Sequence, residues 1–343
     1  MSSRRPALST PWPAGAATSV GSLPGEDPYA ALRVVLEECP ELPFLPELPA
    51  RGPGAELIGR GAALLADLAA DLQPSGWRLV DRPGLDSRRA RDLLARDLDA
   101  AEEVLAGYSG PLKVQAAGPW TLAAGVELTR GDKALADSGA CRDLAESLAE
   151  GLRRQVAEIG RRIPGATVLA QLDEPSLPAV LAGRVPTASG FGALPAVDAH
   201  VAESVLSVVL ATVGAYGLVH CCARDVPLGL LQRSGARALS LDVALLSPVD
   251  DDLVGAAVEA GTCLLLGVVP GTDDSLPDLA ATVAPVRRMW RRLGLPPELL
   301  APAVVLTPSC GLAGASPAYV HAALARCREA GRVLLEDPEG SVG

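Results

Sequence analysis

The chain reads as an α/β protein, a single (β/α)8 barrel of the TIM type with its active site at the C-terminal ends of the strands. Three observations predict it. Short apolar runs, many rich in β-branched residues, alternate with longer amphipathic stretches, the pattern of βα units around a parallel sheet. Eight such runs can be counted. The length of 343 residues suits one barrel, and no linker separates two self-contained βα series, so 1–343 is expected to be one domain.

Taken in order, residues 1–14 read as a poorly ordered N-terminal extension, and the first strand candidate is 16–21 (AATSVG). The second, 42–47 (LPFLPE), carries Pro43 and Pro46, neither of which can donate to a ladder. A helix-like segment at 56–72 repeats apolar residues at three- and four-residue spacings, and the 77–80 run (WRLV) reads as an additional extended piece. The remaining strand candidates are 112–117, 167–172, 216–220, 238–242, 262–268 and 303–307, with helix-like segments at 87–106, 140–162 and 276–293. Pro-rich breaks at 40–53, 163–165 and 295–302 fall between elements.

The composition narrows the function. Hydrophobic residues make up 49% of the chain and aromatic residues only 3%, so the core must be aliphatic. A net charge of −11 argues against nucleic-acid phosphates or an anionic membrane as the main partner, because both need a basic face. Arg4 and Arg5 precede no apolar segment of signal-peptide type, and no apolar run reaches membrane-spanning length, which predicts a cytoplasmic protein. Seven cysteines, two of them adjacent at Cys221 and Cys222, suit reduced thiols or metal binding better than a disulfide framework.

Residues that follow the strands carry the chemistry in this fold class. Here they are Ser22, Glu47, Trp120, Asp173 and Glu174, the His220-Cys221-Cys222 run, Asp242 and Cys310. On an extended segment, residues two apart point the same way, so His220 and Cys222 can bite one ion while Cys221 faces away. Cys310 and Asp242 can approach from neighbouring strands to complete a tetrahedral zinc site. The plainer alternative is that these cysteines are small buried hydrophobes. A thiolate-rich zinc favours binding a substrate thiol and lowering its pKa, which is alkyl-transfer chemistry.

Of the adjacent pair Asp173 and Glu174, one side chain should enter the site. Asp173 is the candidate catalytic residue and the ligand for a substrate ammonium; the alternative is a cap on a helix starting at Pro175. Ser22 precedes a helix beginning near Asp27 and can bind a carboxylate with backbone N–H groups. Glu47 reads either as a rigid carboxylate aimed at the mouth or as a solvated turn residue. Trp120 walls the pocket or packs in the core. His200 and His321, like Cys39, Cys141, Cys263 and Cys327, read as structural.

At these positions the chain resembles the catalytic C-terminal domain of cobalamin-independent methionine synthases, themselves related to the uroporphyrinogen decarboxylase-like barrels. The motifs are SVGSLPG at 19–25, PELP at 46–49, QLDEPSLP at 171–178, VHCC at 219–222, LSLD at 239–242 and TPSCGL at 307–312. The resemblance implies a methyltransferase of methionine biosynthesis whose zinc, held by His220, Cys222, Asp242 and Cys310, activates homocysteine for methylation. It also implies that Ser22, Glu47 and Asp173 hold the amino-acid substrate.

Three departures stand out. The acidic ligand of the family is usually Glu, and Asp242 is one methylene shorter. Its proton-donating His has no counterpart in GVVPGTDD at 267–274, which offers Thr272, Asp273 and Asp274. Ala313-Gly314 replaces a Lys/Arg pair. The chain is about half the length of the two-domain folate-using enzymes, whose N-terminal barrel helps hold the donor, and the expected donor is either methyltetrahydrofolate or a methyl-corrinoid protein. Two other readings compete: a metal-free decarboxylase-like lyase, for which Arg224 is the one basic residue near the site, and a non-catalytic zinc- or thiol-binding relative.

Overall fold

Parallel strands buried on both faces require aliphatic residues at nearly every position, and the runs after residue 110 meet that requirement. The computed structural model describes residues 10–273 and 275–340. Residues 1–9 of the expected extension and Asp274 lie outside the described residues. Helices α1 (Pro28–Glu38) and α2 (Leu57–Leu64) precede a hairpin, β1 (Ala69–Gln73) and β2 (Gly76–Val80), and then helix α3 (Leu85–Val104). Next come β3 (Gly110–Ala117), α4 (Pro119–Gly125), α5 (Ser138–Arg162), β4 (Ala166–Asp173), α6 (Leu177–Leu181), α7 (Ala199–Val213) and β5 (Tyr216–Cys221). The chain continues through α8 (Leu228–Arg233), β6 (Ala238–Asp242), α9 (Asp251–Glu259), β7 (Cys263–Val269), α10 (Leu279–Leu293), α11 (Leu300–Ala303), β8 (Val304–Pro308) and α12 (Pro317–Glu336).

The sheet corrects the expected eight-stranded closed barrel. Strands β3 to β8 form one six-stranded parallel sheet in sequence order, and β1 and β2 form a separate antiparallel pair. The candidates 16–21 and 42–47 are not strands: they make only isolated parallel bridges, Ala17 to Leu306, Ser22 to Glu47 and Phe44 to Lys113. Pro43 and Pro46 remove two backbone donors from the second segment, so a continuous ladder cannot form there. The first exchanges two bonds with β8, Thr18 N to Leu306 O at 3.1 Å and Leu306 N to Ala16 O at 3.4 Å.

The helix expected over 56–72 also shortens. It stops at Leu64, and the following apolar residues become β1, paired with the extended piece expected at 77–80. Elsewhere several helices start on side-chain caps: Asp27, Asp137 and Asp278 accept from Tyr29, Ala140 and Ala281 backbone N–H groups at 2.8–2.9 Å. Each such cap stabilises its helix by about 1 kcal/mol.

Side-chain alternation divides the core. One face of the sheet presents Leu169, Leu218, Ala238, Cys263, Leu265 and Val305, packed with Trp12, Ala16 and Leu42. Trp12 meets Tyr216 edge-on with ring centroids 5.2 Å apart. The opposite face, with Leu172, Val219, Leu241, Leu264 and Leu306, packs in the larger helix-covered core. Two residues further along each strand, the first face turns polar: Gln171 and Asp173 follow Leu169, His220 follows Leu218, and Ser240 and Asp242 follow Ala238. The C-terminal edge of the sheet therefore gathers polar side chains above an apolar floor.

Candidate metal and thiol site

Sheet register sets the first row of the site. Asp173 pairs with His220 across β4 and β5, and His220 pairs with Ser240 across β5 and β6. Cys222 stands just past β5, two residues after His220, and Cys310 just past β8. The two Sγ atoms lie 3.4 Å apart. The ligand atoms of His220, Cys222 and Cys310 all fall within 4.8 Å of one another, and among the described residues no other group of three or more His, Cys, Asp or Glu side chains comes so close. Cys221 is buried on the other side of the strand, as period-two alternation requires, and burial pushes its thiol up to about 12.

The electrostatics of the trio favour a metal. Hydrogen bonding from Cys222, and then the His220 imidazole, hold Cys310 well below an ordinary thiol, at about 4. The same bond, together with burial, pushes Cys222 up. His220 is 3% exposed; its Nδ1 lies 2.9 Å from Ser240 Oγ, while Nε2 is buried with no hydrogen-bond partner. A buried ring nitrogen without a partner beside two sulfurs is costly unless something occupies the space between them. One imidazole and two sulfurs form a donor set that fits zinc.

Asp242, expected as the fourth ligand, lies outside this trio. Its Oδ1 accepts from Ala244 N at 2.9 Å, capping the short turn after β6, and burial raises its pKa. Of the adjacent carboxylates, Asp173 is on the site side: Gln171 Nε2 donates to its Oδ1 at 2.7 Å, and burial pushes it up to about 7. Glu174 is fully buried and accepts from Trp120 N at 3.0 Å, Thr121 N at 2.8 Å and Thr121 Oγ1 at 2.7 Å. It caps α4, not a helix at Pro175; burial raises its pKa to about 7.

Ser22 comes against the Cys310 loop. Leu312 N donates to Ser22 O at 2.8 Å, and a Cβ on Gly311 would lie 2.0 Å from Ser22 Oγ, so a side chain there would displace the Ser22 hydroxyl. Glu47 is buried and not a solvated turn residue. Arg60 Nε lies 3.3 Å from its Oε1, burial raises its pKa, and Arg60 and Lys113 oppose that shift. Arg60 also pairs with Asp97, which Arg51 meets at 2.7 Å. Trp120 lies against α7, with Nε1 donating to Ala202 O at 3.1 Å, a core position that nothing ties to the sulfurs.

Two participants escape the sequence reading. Lys113, fully buried in β3, donates to Val20 O at 2.8 Å and Gln115 Oε1 at 3.2 Å; burial lowers it to about 8 against the pull of Asp173 and Glu47. Ser240 is the other. In the loop after β7, Asp273 accepts from Ser316 N at 2.7 Å and so serves α12, while Asp274 is outside the described residues. His321 pairs with Glu38 at 3.1 Å and His200 sits in the first turn of α7, both away from the sulfurs. A cavity of about 590 Å³ adjoins the strand ends, its lining including Asp242, Gly267, Arg288 and Ser309.

Comparisons with known proteins bear on the fold. No family model matches the chain, and no curated protein matches it. Among solved structures, it is similar to a B12-independent methionine synthase from Shewanella sp. W3-18-1, determined in complex with selenomethionine. That match has a TM-score of 0.62 and 12% identity, and covers 95% of this chain and 99% of the other. The carboxyl transferase domain of Rhizobium etli pyruvate carboxylase matches with a TM-score of 0.27 and 13% identity over 67% of this chain and 44% of that one, too low to argue from. The fold is thus similar to that of the Shewanella methionine synthase over nearly the whole chain. No helix among the described residues is long and apolar enough to cross a membrane.

Proposed function

We propose that this chain is a zinc-dependent methyltransferase of the B12-independent methionine synthase type, moving a methyl group onto the thiol of homocysteine. The observation that carries the proposal is the convergence of His220, Cys222 and Cys310, from β5 and β8, within 4.8 Å. The methionine synthase-like fold over nearly the whole chain agrees with it.

His220, Cys222 and Cys310 would hold the zinc, with Asp242 a fourth candidate only if it gives up its cap on Ala244. Bound zinc lowers the pKa of a thiol and keeps it as thiolate near neutral pH. The protein's own residues do the rest. The carboxylates of Asp173 and Glu47 receive the ammonium of an amino-acid thiol, and Ser22 with its backbone receives the carboxylate. Held at both ends, the acceptor would present its sulfur to the group formed by Cys222 and Cys310. Orienting the acceptor in this way converts an encounter between two solutes into a step within one complex.

Methyltetrahydrofolate and a methyl-corrinoid protein are the donors to try. Purified zinc-loaded protein incubated with homocysteine and each donor should form methionine with at least one of them. Zinc and homocysteine binding without methionine from either would favour a non-catalytic thiol-binding relative. A zinc-free protein that decarboxylates an acidic porphyrin would overturn the proposal.

A further inference from the structure

We infer that Ser240 is a positioning residue that partners His220 Nδ1 in either tautomer, and that its hydroxyl reverses direction when a metal binds. This rests on the reading of His220 as a metal ligand. The pair is fixed by the sheet itself: His220 and Ser240 are direct register partners on β5 and β6, and both side chains face the same side. Ser240 is 1% exposed and His220 3%, so water does not compete for the 2.9 Å contact between Oγ and Nδ1. A serine hydroxyl can donate or accept, and a neutral imidazole carries a proton on one nitrogen only.

Two arrangements follow. With the proton on Nε2, Ser240 donates to Nδ1, and the Nε2–H faces the space shared with the Cys222 and Cys310 sulfurs. With the proton on Nδ1, that N–H donates to Ser240 Oγ, and the Nε2 lone pair is free for the ion. A metal can bind Nε2 only in the second arrangement. Ser240 stabilises both without any side chain moving, because only its hydroxyl hydrogen turns. Alanine at 240 would leave Nδ1 buried and unpartnered in either state, and the ligating tautomer would lose its acceptor. Threonine at this strand position keeps the hydroxyl.

The test combines metal affinity with NMR of the His220 ring nitrogens. Zinc affinity, by chelator competition, should fall about 10- to 100-fold in Ser240→Ala, as outer-shell partners of ligating histidines typically do, and recover in Ser240→Thr. The ring nitrogens of the folded parent should show the bound proton moving to Nδ1 on adding zinc. A folded Ser240→Ala protein with parental zinc affinity and only a lowered Tm would overturn the inference, leaving Ser240 as a packing residue. Undiminished zinc in His220→Ala would instead overturn the ligand reading beneath it, so the two failures are distinguishable.

Discussion

The sulfur atoms of Cys222 and Cys310 lie 3.4 Å apart although 88 positions separate them in the chain. Cys222 stands one residue beyond β5 and Cys310 two beyond β8, both at the C-terminal edge of the sheet. Sheet topology, and not local sequence, builds this contact, and substitution of either residue tests it. Cys222→Ser and Cys310→Ser should each abolish stoichiometric zinc binding, measured by metal analysis after dialysis. Cys221→Ser, altering a buried side chain that faces away, should keep it.

The same contact makes the metal-free thiols a ready pair for oxidation. With hydrogen peroxide as oxidant, two thiols and one peroxide give one disulfide and two waters. Peptide mapping of the oxidised metal-free protein should find Cys222 joined to Cys310. Zinc loaded beforehand should slow the reaction, since coordinated sulfur is less available. Cross-links through Cys39 or Cys327, both buried, would contradict the geometry.

Gly311 is held by Ser22. A methyl group there would meet Ser22 Oγ at 2.0 Å, so Gly311→Ala must turn the Ser22 hydroxyl to another rotamer or shift the Cys310 loop. The expected loss is about 1–3 kcal/mol in urea unfolding, the usual cost of overpacking, together with weaker zinc binding. Gly314→Ala, with open space around it, should be close to neutral in both.

Lys113 gives a pH signature. Burial lowers its pKa from 10.5 to about 8, so the folded chain holds this proton less tightly than the unfolded chain does. Stability owed to Lys113 therefore rises as pH climbs from about 8 towards 10.5. The difference in unfolding free energy between the parent and Lys113→Met should shift in the parent's favour across that window. Parallel curves would mean that the lysine titrates as if exposed.

Much of the site was legible because it lies on strands read by their aliphatic runs. His220, Cys222, Asp173 and Cys310 all follow such runs, and the period of two placed Cys221 on the opposite face. The closed barrel was not legible. In 42–47 the apolar pattern resembled a strand, but Pro43 and Pro46 deny it the donors that a ladder needs, a backbone property that hydrophobicity does not register. The 56–72 reading failed for a related reason: LADLAADL suits a helix by spacing, yet its second half pairs with Trp77 and its neighbours in a hairpin, a tertiary contact that overrides propensity. Ser240 and Lys113 did leave a signal, each a polar residue inside an apolar strand, on the face that their neighbours Asp242 and Gln115 share.

The most direct measurement is the absorption spectrum of cobalt-substituted protein with and without homocysteine. The account predicts one cobalt per chain, a thiolate-to-cobalt charge-transfer band from Cys222 and Cys310, and a further increase in that band when the substrate sulfur joins them. A cobalt spectrum with no thiolate band, or one that homocysteine leaves unchanged, would contradict it.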